Sequence, residues 1–307
     1  MDYRVRLAAF NFLTEQTQLH GEVLPRTLLE QGFVFQGKRV RLAGPQGIFK
    51  PAILSDMPLT ITTVPAVRDV PRPYDDEVGP DGRIRYRYRG TDPKHPDNLG
   101  LRRAMERQAP LIYLYGIVPG RYMPVWPVYI AADDPARLTF SIVVDDAHVA
   151  ALRGASLTGP APDADLSSSL RRQYITTNIR QRLHQRRFRE RVLQAYREQC
   201  AICRLRHAEL LEAAHILPDG HPRGEPIISN GVALCKIHHA AFDRNILGIR
   251  PDLKVELRPD ILQEEDGPML KWGLQNFQGA LLHVPRAKDL RPNQNFLEER
   301  YAMFRSA

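Results

Sequence analysis

The chain contains three cysteines, at Cys200, Cys203 and Cys235, and the last of them opens the run Cys235-Lys236-Ile237-His238-His239. Two residues separate Cys200 from Cys203, so a tight turn can aim both sulfurs at one point. Cys235 and His238 repeat that spacing further along. Soft thiolates with one imidazole suit tetrahedral Zn²⁺, and the pattern predicts one structural zinc held by Cys200, Cys203, Cys235 and His238, with no position left open to substrate. Such a clamp contributes on the order of 10 kcal/mol of folding free energy to a segment too small for a core of its own. The competing reading, three thiols buried as small apolar residues, leaves the two paired spacings unexplained.

Between the halves of the clamp stand Glu212-Ala213-Ala214-His215-Ile216 and Ser229-Asn230-Gly231, so the order along the chain is His215, Asn230, His239. In that order, around such a clamp, residues 195–250 resemble the HNH family, the ββα-metal nucleases. The resemblance implies that His215, ending an apolar strand over 210–216, is a general base, and that Asn230 bridges the loop before a second strand at 232–234 to the base strand. It also implies that His239, opening the next helix, holds a catalytic Mg²⁺ or Mn²⁺. Phosphodiester hydrolysis needs these parts: a base to take a proton from water, a cation to offset charge, and a group keeping the base in register. A neutral imidazole is a competent acceptor near pH 7. Many members carry a metal-ligating Asp or His just before the base histidine, where this chain has Ala214. Asp243, four residues after His239, shares a helix face with it and is the expected second ligand. Glu212 is the weaker candidate.

The surroundings suit a nucleic-acid substrate. Of the 307 residues, 43 are Lys or Arg against 35 Asp or Glu, a net +8. The excess clusters over 171–191, RRQYITTNIRQRLHQRRFRER, a basic helix leading into the clamp. Arg180, Arg182, Arg186 and Arg187 are expected to meet DNA phosphates. No apolar run approaches the roughly 20 residues needed to cross a bilayer, and the charged start, Met1-Asp2-Tyr3-Arg4, lacks the apolar core of a secretory signal. Thiols committed to zinc fit a reducing compartment, so a cytoplasmic protein is expected.

The Pro/Ser/Asp-rich stretch 156–169 reads as a linker between a front domain, 1–155, and a nuclease domain, 170–307. The front domain opens with an amphipathic helix over 5–19, whose apolar residues Leu7, Ala8, Phe12 and Leu13 recur near helical spacing. Short β-rich runs follow at 39–42, 59–64, 84–89, 111–117, 125–130 and 138–144, interrupted by a helix at 98–108. That spacing suggests a barrel. Past the nuclease core, strands are expected at 253–257 and 280–284 and a closing helix at 295–304.

Within the front domain, Gly44-Pro45-Gln46-Gly47-Ile48, Pro73-Tyr74-Asp75-Asp76-Glu77-Val78, and Tyr86-Arg87-Tyr88-Arg89-Gly90 followed by Asn98 are together similar to the SRA domain. That member of the PUA superfamily of β-barrels reads modified cytosine by flipping it out of DNA. The resemblance implies that Tyr74 and Tyr88 sandwich the flipped base and that an acid, Asp75, Asp76 or Glu77, with Asp76 favoured, binds its polar edge. Stacking and hydrogen bonds repay the few kcal/mol of leaving the stack. The chain departs from the pattern in extra residues between the two tyrosines and in Arg89, where a small polar residue is usual.

The expectation is an α+β protein with an SRA-like barrel and a zinc-stabilised HNH nuclease, resembling the modification-dependent restriction endonucleases of bacteria. It would cut double-stranded DNA carrying 5-methylcytosine or 5-hydroxymethylcytosine, with a homodimer as one way to cut both strands. A repair nuclease for a damaged or deaminated base and a non-catalytic reader of modified DNA are the alternatives. Binding alone would need none of His215, Asn230 and His239.

Overall fold

The computed structural model describes residues 1–65, 84–144, 168–265 and 267–306, with the backbone alone over 168–181. It divides into two compact units, Met1–Leu183 and His184–Ala307. The expected linker lies outside the described residues except for its last two positions, which open a helix, Ser168–Ala195. Among the described residues no helix is long and apolar enough to cross a membrane.

The first unit is built on a seven-stranded sheet. Six strands run in the spatial order β4 (Ile48–Phe49), β5 (Thr60–Thr63), β7 (Leu111–Val118), β8 (Arg121–Asp134), β9 (Thr139–Val144) and β6 (Ile84–Arg87), and β1 (Leu24–Pro25) pairs with β8. Only β5 and β7 run parallel. A separate hairpin joins β2 (Phe33–Phe35) to β3 (Lys38–Val40). Register shifts interrupt the β7–β8 and β8–β9 ladders, and irregularities of this kind bend strands and increase their twist. The sheet curls as a half-barrel, bringing the hydroxyl of Tyr86 on β6 within 3.4 Å of the carbonyl of Thr62 on β5.

Alternation along β7 buries both faces of the sheet, because successive side chains of a strand point to opposite sides. Leu111 and Tyr113 enter a core with Tyr86, Tyr88, Phe140 and Leu101 of the helix Pro96–Glu106. Ile112 and Leu114 enter a second core with Leu24, Leu59, Trp126 and the helix Asp2–His20. The first helix keeps part of the expected stripe, with Leu13 buried and Phe12 packed beside it, but Val5 and Ala9 join the buried face while Leu7 is 42% exposed. Arg6 completes the buried face, because its guanidinium is satisfied inside, donating to the carbonyls of Pro58 (3.0 Å) and Pro110 (2.9 Å) and pairing with Asp2 (2.5 Å).

In the second unit, β10 (Leu211–His215) and β11 (Gly231–Cys235) form an antiparallel ribbon. The helix Lys236–Asp243 follows, then a hairpin of β12 (Leu247–Ile249) and β13 (Val255–Leu257). The strand expected at 280–284 is reduced to one bridge between Leu281 and Lys254. The closing helix, Gln294–Arg305, is capped by Asn293, which accepts from the amide of Asn295 at 2.9 Å. Arg300 from this helix donates to the Phe242 carbonyl (2.6 Å) and to Asn245 (2.7 Å). It thereby caps the end of Lys236–Asp243, where carbonyls lack intrahelical partners.

Asn98 is wholly buried and fully used: Oδ1 accepts from the Arg89 amide (2.9 Å), and Nδ2 donates to the carbonyls of Arg89 (3.1 Å) and Asp92 (2.8 Å). Asn98→Ala leaves three backbone groups unpaired and is expected to cost about 2–4 kcal/mol, read as a lower midpoint for the first unit in urea denaturation.

Candidate functional site

Cys200, Cys203, Cys235 and His238 converge, with their donor atoms all within 4.8 Å of one another. His238 Nδ1 lies 3.6 Å from Cys200 Sγ and 3.1 Å from Cys235 Sγ, and Cys203 Sγ lies 3.9 Å from Cys235 Sγ. Three thiolates and an imidazole around one tetrahedral ion would stand roughly 3.5–3.8 Å apart, so the donor set fits such an ion. Local structure explains the convergence. The Cys200 amide donates to the Leu205 carbonyl (2.9 Å) and the Arg204 amide to the Cys200 carbonyl (3.0 Å), closing a knuckle that the Ala201 amide ties to Ala233 of β11 (2.7 Å). His238 Nε2 donates to the Gly273 carbonyl at 2.9 Å, which turns Nδ1 toward the sulfurs. The cluster attracts positive charge. Burial lowers the His238 pKa, but hydrogen bonds with Cys200 and Cys235 raise it more, to about 9.

His215 ends β10 opposite Gly231. Its ring stacks on Phe188 of the long helix, with centroids 4.1 Å apart and planes at 16°. Gly231 permits this approach, since a Cβ there would stand 2.5 Å from Val192 and 2.9 Å from the Phe188 ring. His215 Nε2 is buried without a partner among the described residues, so Nδ1 is the nitrogen left to meet water. Burial is the main reason the His215 pKa lies below its ordinary value; Asp219 and Asp243 oppose the shift and His239 adds to it. The imidazole is neutral near pH 7.

Asn230 is buried and bonded throughout. Its Oδ1 accepts from the Leu217 amide (2.9 Å), and Nδ2 donates to the carbonyls of Leu217 and Glu225 (both 3.1 Å). It fixes the loop leaving His215. His239, in the first turn and a half of the helix Lys236–Asp243, lies between two carboxylates: Nδ1 is 2.5 Å from Glu212 and Nε2 is 3.3 Å from Asp243. Both carboxylates are solvent-open. Glu212 thus reaches the site from β10, a contact across 27 residues that a helical i, i+4 spacing could not reveal.

The basic helix divides its arginines. Arg182 is ion-paired with Glu22. Arg189 donates to the carbonyls of Ala208 (2.8 Å) and Leu211 (2.9 Å), securing the start of β10. Arg186 and Arg187 are half-buried, Arg187 with its Nε lacking a partner among the described residues. The side chain of Arg180 lies outside the described residues.

In the first unit, Gln46, Gly47, Thr62, Tyr86, Tyr88 and Arg89 are among the residues lining a cavity of about 260 Å³. Two of the segments that carry the resemblance to a base-flipping domain therefore meet at one hollow. Tyr88 is only 3% exposed; it stacks on Phe140 (4.6 Å between centroids), and its hydroxyl donates to Asp133 and accepts from Arg102 (2.9 Å). Tyr74, Asp75 and Asp76 lie outside the described residues.

The stacking on Phe188 has a measurable effect. Phe188→Ala exposes the imidazole and should move the His215 pKa up toward 6.5, followed by NMR titration. The sign for stability follows as well. A depressed histidine contributes stability that is present above the unfolded pKa near 6.5 and is lost as pH falls through the folded value, so the variant should show a weaker loss of stability on acidification.

The HNH endonuclease family profile matches residues 200–250. No curated protein matches the sequence. Among solved structures, the modification dependent TagI restriction endonuclease is 18% identical, covering 94% of this chain and 89% of its own, at a TM-score of 0.30. A likeness that distant assigns neither fold nor activity. The matched segment holds the whole knuckle, the ribbon and the His215–Asn230–His239 geometry: residues 200–250 form an HNH endonuclease domain, and the protein is a hydrolase that cleaves DNA.

Proposed function

We propose that the protein is a metal-dependent endonuclease that cuts double-stranded DNA carrying a modified base, with 5-methylcytosine and 5-hydroxymethylcytosine favoured, and that it serves to restrict foreign DNA. The observation that carries the nuclease chemistry is a neutral, partly buried His215 on the same short ribbon as the Glu212–His239–Asp243 group. His215 takes the proton from water at Nδ1, while Phe188 holds the ring plane and Asn230 the loop behind it. Glu212 accepts from His239 Nδ1–H and so orients the ring, as carboxylates do for metal-binding histidines. His239 Nε2 and Asp243 are then the pair that would hold Mg²⁺ or Mn²⁺, and a bound divalent cation would offset charge on the phosphate and leaving oxygen. The Cys₃His cluster would hold structural Zn²⁺.

Support for the modified-base reading is the cavity in the first unit, where the Gly47 loop and the Tyr86–Gly90 segment come together. Tyr88 contributes there as a ring fixed by Arg102 and Asp133, so its role in base recognition would be that of a rigid wall. Coupling a sensor to a nuclease with little sequence reading of its own keeps the activity off unmodified host DNA.

Single-turnover cleavage tests these roles. His215→Ala and His239→Ala should each abolish cutting while leaving duplex affinity nearly unchanged, and Glu212→Gln should raise the Mg²⁺ concentration needed for half-maximal cutting by about 10- to 100-fold. Retention of most of the wild-type rate by either histidine variant would refute the assignment. Metal analysis should find one zinc per chain, lost in Cys235→Ser together with the folding transition of the second unit.

A further inference from the structure

We propose that the nuclease unit carries a second phosphate-binding site, separate from His215, that grips the backbone of duplex DNA. A cavity of about 290 Å³ lies where the end of the long helix, the Cys knuckle and the segment 283–286 meet. Arg197, Arg204, Arg206 and Arg286 line it together with His283, and no carboxylate is among the lining residues. Among the described residues none of these four arginines is ion-paired, whereas Arg182, Arg223 and Arg258 each are.

The walls are fixed. The His283 amide donates to the Ala201 carbonyl at 2.8 Å, tying the segment to the knuckle. The Arg204 guanidinium donates to His283 Nε2 and stands 3.2 Å from its Nδ1. Burial, then the Arg204 charge, hold the His283 pKa below its ordinary value, and the ring accepts from Arg204 and orients it. Arg197 and Arg204 both occupy left-handed backbone, at φ 57° and 62°, which residues other than glycine, asparagine and aspartate seldom adopt.

Four like charges around one hollow repel each other unless an anion lies among them. Guanidinium forks match phosphate oxygens, and duplex DNA offers a charge about every 1.7 Å along its axis. The knuckle end of the ribbon, at Leu211 and Cys235, is four residues from His215, about 13 Å at 3.3 Å per residue. Cations near the knuckle therefore meet phosphates other than the one being cut. The inference rests on DNA being the substrate, and it moves sequence-independent affinity from the basic helix, where Arg182 and Arg189 are committed to internal contacts, to the far side of the clamp.

The test is the full-length double variant Arg206→Gln/Arg286→Gln, both exposed positions, with folding checked by melting and zinc content. Binding to an unmodified labelled duplex is followed by anisotropy across a KCl series without divalent cations. The slope of log K against log salt should flatten by about 2 units, near 0.9 per lost phosphate contact, with affinity down on the order of tenfold. Lysine at both positions should restore most of the slope. A wild-type slope and affinity in the glutamine variant would overturn the site, as would unchanged DNA binding with lost capture of an acidic peptide. Cleavage by the wild type is measured alongside: absent cleavage with a flattened slope removes the nuclease reading and keeps this site, while normal cleavage with an unchanged slope removes this site alone.

Discussion

The second unit depends on the position of one imidazole. His238 presents Nδ1 to Cys200 and Cys235 and donates from Nε2 to the Gly273 carbonyl. One ring therefore ties the knuckle, the end of β11, the first turn of the following helix and the C-terminal segment to a single point. The same helix turn carries His239. Because His238 and His239 are adjacent, they project from different sides of the helix, one into the clamp and the other toward Glu212 and solvent. The ribbon and the eight-residue helix share one core with the long helix, the β12–β13 hairpin and the closing helix, and the Cys₃His cluster joins the knuckle to the turn that carries His239.

The ribbon is buried on the His215 side and open on the other. The long helix seals Nε2 of His215 behind Phe188, keeping the ring neutral at pH 7, and Asn230 spends its whole amide on backbone groups of the neighbouring loop. Across the ribbon, Glu212 and Asp243 stay open to water. In the proposed mechanism the sheltered imidazole would be the proton acceptor and the open His239–Asp243 pair would hold the cation, the division of labour that phosphodiester hydrolysis requires.

Much of this was readable in the residues, because the ligand spacing of Cys200, Cys203, Cys235 and His238 constrains geometry directly and short apolar runs mark the strands beside His215 and Asn230. Contacts made by backbone groups carried no such signal, so the Gly273 carbonyl behind His238 was invisible. Buried arginines were equally hidden: nothing in the residue pattern marks Arg6 and Arg300 as satisfying backbone carbonyls inside. Glu212 ranked below Asp243 because an i, i+4 spacing is legible and a cross-element contact is not. Along the basic helix, composition counts charges and cannot tell those already paired, as Arg182 is with Glu22. In the first unit the short strands were legible individually, but their curl depends on ladder irregularities along β8, and the buried setting of Tyr88 depends on Phe140 and Asp133 from distant strands.

Whether metal-dependent cutting responds to a modified base is read from cleavage of matched plasmids that differ only in cytosine modification, in Mg²⁺ and in Mn²⁺, scored as supercoiled DNA lost with time. The modified plasmid should be cut, the plain one far more slowly, and neither without a divalent cation. Intact plasmids under every condition, or equal rates on both, would refute the proposed dependence on a modified base.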